Sequence, residues 1–112
     1  MSEDWKIVIQ PQARLDLRAI HNYIAFQLSE PGIAVKQLQN IRKVIYSLLS
    51  SPKRRLVDFE PWRSRGIRRV NAGNYAVFFI AEEVTRTVSV IRIAYGRMDL
   101  QRLLEETDLE SE

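Results

Sequence analysis

Ile67-Arg68-Arg69-Val70-Asn71-Ala72-Gly73-Asn74-Tyr75-Ala76-Val77-Phe78-Phe79 decides how this chain folds. β-branched and aromatic residues stand on either side of Asn71-Ala72-Gly73-Asn74. These link residues tolerate the positive φ that a tight hairpin needs, so the stretch reads as two strands and a turn. Glu82 to Arg86 then punctuates the pattern before another run. Ile67 to Val70, Tyr75 to Ala81 and Thr87 to Tyr95 therefore predict two consecutive hairpins, a three-stranded antiparallel meander. Gly96 ends the last strand, and Met98, Leu100, Leu103 and Leu104 predict a short C-terminal helix.

Upstream of Gly66 the period changes from strand to helix. Ala13, Leu17, Ile20, Ile24 and Leu28 recur at helical spacing after Pro11, which predicts a helix to about Ser29. Pro31-Gly32 interrupts it, and Ala34, Leu38, Ile41, Ile45 and Leu48 repeat the stripe up to Ser50-Ser51-Pro52. Each helix has a single apolar face and needs a partner to bury it, so the pair reads as a helical hairpin. Before it, Trp5 to Ile9 reads as a first strand. Strand, two helices and then a strand meander predict an α+β layer structure, with both helices packed on one face of a mainly antiparallel sheet and the other face open. Residues 53–66, between the two halves, read as a basic connecting loop.

The 112 residues suit one domain, here 1–104, followed by an acidic, disordered tail at 105–112. Seventeen Lys and Arg oppose 14 Asp and Glu, but five of those acids lie in the tail. The body then holds 17 bases against nine acids, a net of +8, which favours nucleic acid or an acidic protein as partner. The chain has no cysteine, no apolar signal-like N-terminus and no run long enough to span a membrane, which predicts a cytoplasmic protein without disulfides.

One histidine and no cysteine leave no metal-ligand cluster, and no glycine-rich phosphate motif marks a nucleotide, so neither metal nor cofactor is expected. His21 reads as a half-buried packing residue beside the first helical stripe. What remains is arginine. Arg63, Arg65, Arg68, Arg69 and Arg97 are candidates for binding phosphate or a protein target, since a guanidinium on a rigid element presents a planar, permanently charged fork. Alternation places Arg68 and Arg69 on opposite faces of the sheet, and Arg92 on the face of Val88, Val90 and Ala94. Trp62 and Tyr95 stand beside bases, where they either stack nucleobases or anchor the core.

From Gly66 to Phe79 and from Val88 to Leu100, which ends in Gly96-Arg97-Met98-Asp99-Leu100, the sequence resembles the RelE/ParE superfamily of type II toxin–antitoxin toxins. The resemblance extends over nearly the whole chain, including the opening strand and the helical hairpin closing at Ser51-Pro52. It implies the layered fold above and a cognate antitoxin as partner. RelE-like members cut mRNA on the ribosome without a metal, whereas ParE-like members poison DNA gyrase. After Asn74-Tyr75, where the RelE pattern has a catalytic arginine, this chain has Ala76, and near the pattern's C-terminal tyrosine it has Leu103. The terminal Gly-Arg-Met-Asp-Leu run is closer to the ParE-like branch. The resemblance thus implies a gyrase-directed toxin that is not an enzyme. The alternative is a ribosome-dependent endoribonuclease with a rearranged catalytic set of Arg69, Arg92, Tyr95 and Arg97, and a third reading is a non-toxic module that only binds the antitoxin.

Overall fold

The computed structural model describes residues 4–107. The tail beyond Thr107, and with it most of the predicted disordered segment, lies outside the described residues. The chain runs β1 (Lys6–Ile9), α1 (Pro11–Asn22), a π-helical turn (Tyr23–Gln27), α2 (Pro31–Ser47), β2 (Arg68–Ala72), β3 (Tyr75–Glu82), β4 (Thr87–Tyr95) and α3 (Leu100–Glu105). The α+β class and the order of elements are those the sequence predicts.

Pro11 and Pro31 each open a helix, where the missing N–H is one that would have no helical partner anyway. Pro31 thus starts α2 as well as ending the preceding turn. The stripe on α2 is buried as predicted at Ala34, Leu38, Ile41 and Ile45, and Leu48 follows it into the core. On the first helix the stripe holds to Ile24 and then fails, because the wider π turn changes the phase. Ala25 is buried instead, and Leu28 is 50% exposed.

The sheet order is β1-β4-β3-β2, with β1 parallel to β4 and the remaining pairs antiparallel. Ala72 pairs with Tyr75, so Asn71 and Ala72 belong to β2 and the turn is Gly73-Asn74 alone. Gly73 takes a φ of +62°, at the first turn position where a two-residue hairpin uses glycine.

The helices cover one face. There Ala13, Leu17, Leu38, Ile41, Ile45 and Leu48 meet Val77, Phe79, Val88, Val90 and Ile93. The opposite face is not open, contrary to the expectation from sequence. Ala76, Phe78, Ile91 and Ala94 form a second core there with Val57, Trp62 and Ile67 of the connecting loop and Leu103 and Leu104 of α3. The reason is visible in β3. Ala76, Val77, Phe78 and Phe79 are all fully buried, a continuous apolar run with no solvent side. Burying each phenylalanine stabilises the fold by roughly 1.5–3 kcal/mol. The loop is held against β2 by backbone bonds, Val57 N–H to the Ile67 carbonyl and Arg69 N–H to the Arg55 carbonyl, both 3.0 Å.

A bulge interrupts the β3–β4 ladder. Phe78 pairs with Arg92 and Phe79 with Val90, leaving Ile91 unopposed. The alternation along β4 therefore changes phase, so Val88 and Val90 lie in the helix-side core and Ala94 in the loop-side core. Arg92 does not share a face with Val88 and Val90, because the extra residue re-aims it.

Candidate functional site

Arg92 is built into the fold. Beyond the short β1, the edge of β4 is uncovered, and Asp16 of α1 closes it by accepting the Ile93 N–H at 2.9 Å. Arg92 donates to both oxygens of the same carboxylate, Nε at 2.8 Å and Nη2 at 2.9 Å, and its Nη1 reaches the Thr107 hydroxyl at 3.1 Å. Thr107 in turn donates to the Leu103 carbonyl at 2.7 Å. The two charged side chains are each only 12% exposed. This bidentate pair ties α1, β4 and the end of α3 together and leaves little of Arg92 for a ligand. Sequence alone singles out neither Asp16 nor Thr107. Their partnership spans 76 and 15 positions from Arg92, and no local pattern announces it.

The other candidate arginines divide between the faces. Arg68, opposite Phe79, donates to the Arg54 carbonyl. Arg69, opposite Phe78, donates from Nε to the Asn71 side chain at 2.9 Å, and its guanidinium lies 5.9 Å from the Phe78 ring centre. Gly96 lets it come close, since a Cβ there would sit 3.4 Å from Arg69 Nη2 and 3.2 Å from the Asn74 carbonyl oxygen. Arg69 thus lies against Gly96, the residue before the exposed Arg97. Arg69 also opens onto a concavity of about 270 Å³, shared with Arg55, Asn71 and Asp58. On the loop over the same face, Arg63 donates to the Val57 carbonyl at 3.2 Å and Arg65 lies 5.0 Å over the buried Trp62 ring. Trp62 is thus an anchor of the second core.

Tyr95 points to the opposite face from Arg69. Its ring meets Tyr75 edge to face, centroids 5.8 Å apart, at the mouth of an apolar groove of about 770 Å³. Tyr23, Leu28 and Ile33 from the hairpin tip and Met98 complete the rim, each half or more exposed. Burial, then the neighbouring Tyr95 and Tyr23 phenols, push the Tyr75 hydroxyl above its ordinary pKa of 10.0. The structure therefore sets Arg69 on the face that Arg63 and Arg65 cover, against Gly96, and separates it from Tyr95 and from the clamped Arg92.

The chain matches the family model described as the ParE toxin of the type II toxin–antitoxin system parDE, over residues 7–100. A search of curated proteins gives no match. Among solved structures the fold is similar to a chain of the chromosomal ParDE toxin–antitoxin system from P. aeruginosa, with a TM-score of 0.68 and 19% identity. That alignment covers 81% of this chain and 95% of the other. It is also similar to a chain of the RelBE2 toxin–antitoxin complex from Mycobacterium tuberculosis, with a TM-score of 0.60, 17% identity, and 83% and 99% of the two chains covered. The isolated E. coli RelE toxin aligns with a TM-score of 0.54 and 13% identity over 91% of this chain and 96% of its own.

Proposed function

The chain belongs to the ParE toxin family of type II toxin–antitoxin systems, and from that premise we propose that it arrests growth by ParE-like poisoning of DNA gyrase in the cytoplasm and is neutralised by a cognate protein antitoxin. One observation carries the choice of target. The two positions where a RelE-like nuclease pattern puts its catalytic side chains hold Ala76, 0% exposed, and Leu103, 8% exposed, both inside the second core. Neither can transfer a proton, and both are packed in the core that the loop and α3 form over the sheet. The rearranged set fares no better. Arg92 is occupied by Asp16 and Thr107, and Tyr95 lies across the sheet from Arg69 and so cannot act on a phosphate that Arg69 holds. What Arg69 and Arg97 offer is charge and shape for a protein or phosphate surface.

The antitoxin has a fitting seat in the apolar groove at the hairpin tip, because contiguous exposed apolar side chains rimmed by polar ones mark a protein interface. Replacing Met98 by Glu at that rim is expected to weaken antitoxin binding about tenfold or more while leaving the fold intact.

The target is tested by inducing the protein and following plasmid supercoiling and double-strand breaks, in parallel with mRNA integrity in a translation extract. Gyrase-dependent breaks with intact mRNA are the expected outcome. Codon-specific mRNA cuts that disappear in Arg69→Ala or Arg97→Ala would overturn it in favour of the nuclease, and no effect on DNA, mRNA or growth would leave only the binding module.

A further inference from the structure

A second groove, about 880 Å³, lies between β1 and the outer faces of α1 and α2, and none of the arginines considered so far lines it. Its walls carry Lys6 from β1, Arg14 and Arg18 from α1, and Arg42 from α2, and no aspartate or glutamate is among its lining residues. All four cations are exposed, and none makes an ion pair among the described residues. Arg14 is oriented by one bond, from Nε to the Ile9 carbonyl at 3.1 Å, and its two terminal amino groups take no part in it. Arg14 and Arg18, four residues apart, stack along one side of α1, and Arg42 faces them across the groove on α2. Tyr46, one turn beyond Arg42 and 59% exposed, adds an aromatic face to the wall.

Surface cations are ordinarily dispersed among carboxylates, and a single one marks nothing. Here four converge from three elements on one concave surface with nothing to neutralise them, in a body of net +8. Such a surface concentrates polyanions. Guanidinium forks match phosphate, and aromatic faces interleaved with cations are the means by which proteins hold single strands, with phosphates on the charges and bases on the rings. A cleft between a strand and two helices admits one strand of nucleic acid, whereas a duplex presents a convex surface. An apolar-spotted peptide finds its match in the other groove, whose exposed rim is Tyr23, Leu28, Ile33 and Met98 and whose one lining cation, Arg92, is already paired with Asp16.

We propose that this groove binds single-stranded nucleic acid, its phosphates on Arg14, Arg18 and Arg42 with Lys6, and a base on Tyr46. The binding is separate from the choice between gyrase and ribosome, because no residue of the groove enters that choice.

The test is fluorescence anisotropy of the purified full chain with a labelled oligothymidylate of about twelve nucleotides, across a salt series. Arg18→Glu/Arg42→Glu is expected to weaken binding at least about tenfold and to flatten the plot of log affinity against log salt by about 0.7 for each phosphate the groove no longer holds. Tyr46→Ala should weaken binding with the salt slope unchanged. Lys53→Glu, a reversal at an exposed residue outside the groove, should alter affinity far less than the groove pair. Far-UV circular dichroism of each variant confirms that it is folded. The proposal is overturned if the double reversal leaves affinity and slope as they were, if Lys53→Glu matches it, or if a polyglutamate peptide or a DNA duplex of equal length binds these residues more tightly than the single strand.

Discussion

Arg92 and Arg18 carry the same guanidinium on neighbouring elements, yet they stand in opposite conditions. Arg92 directs three nitrogens at Asp16 and Thr107 from a site that is almost closed to solvent. Arg18 faces an open groove beside Arg14 and Arg42 with no carboxylate on its walls. Other arginines of the sheet and the connecting loop are engaged within the fold as Arg92 is, and on the helices Arg14 gives its Nε to the Ile9 carbonyl and Arg102 lies 3.6 Å from Glu106. Arg63 and Arg68 bond to backbone carbonyls, Arg69 bonds to Asn71, and Arg65 covers Trp62. Net charge therefore does not locate a binding surface. A fold first uses cations to satisfy carbonyls and carboxylates that packing would strand, and the cations left without such work are the ones available to a ligand.

Substitutions along this division should grade in effect. Arg92→Ala leaves the Asp16 carboxylate without its partner and is expected to lower stability by about 3–5 kcal/mol, read from the urea midpoint. A loss near zero would erase the distinction between the two sets. Arg68→Ala removes one charge-assisted bond to a backbone carbonyl and should lower stability by about 1.5 kcal/mol in the same assay. Arg18→Ala and Arg42→Ala, separately or together, should stay within about 0.5 kcal/mol of the parent.

The smallest effect concerns a strap on the outside. Lys53 pairs with Glu83, and its hydrogen bond, then its charge, hold the Glu83 carboxyl below the ordinary value of 4.5. A carboxylate whose folded pKa is depressed contributes stability above the ordinary carboxylate range and loses it as pH falls through the lowered value. Lys53→Ala should return Glu83 to near 4.5 in a carboxyl-carbon NMR titration and remove that small contribution. A titration curve unchanged by the substitution would mean the pair does not form in solution.

Much of the fold is legible in the sequence because it is periodic. The α2 stripe from Ala34 to Leu48 and the glycine-bearing hairpin turn can be read directly, since 3.6-residue recurrence and positive-φ residues are local signals. What escapes is set by relations between distant residues. The second core needs Val57 and Trp62 from a segment without period, though four successive buried residues in β3 already signal two covered faces. The phase change at Ile91, which sends Arg92 to Asp16, depends on a bulge that no residue type there marks. The candidate site divides in the same way. Arg69 stands out in the sequence and is set on the face the loop covers, whereas Arg92 and Tyr95 stand out and are held apart from it. The groove of Lys6, Arg14, Arg18 and Arg42 has no signature in the sequence beyond the spacing of Arg14 and Arg18, and a helix pair gains its meaning from the strand and helix opposite.

The most direct test is a single oligothymidylate titration observed through the Nε–H resonances of the arginine side chains. Arg18 and Arg42 are expected to shift while Arg92, bonded to Asp16, stays slow to exchange and unmoved; movement of Arg69, Arg92 and Arg97 with Arg18 and Arg42 silent would place the strand on the sheet arginines and not in the helix groove.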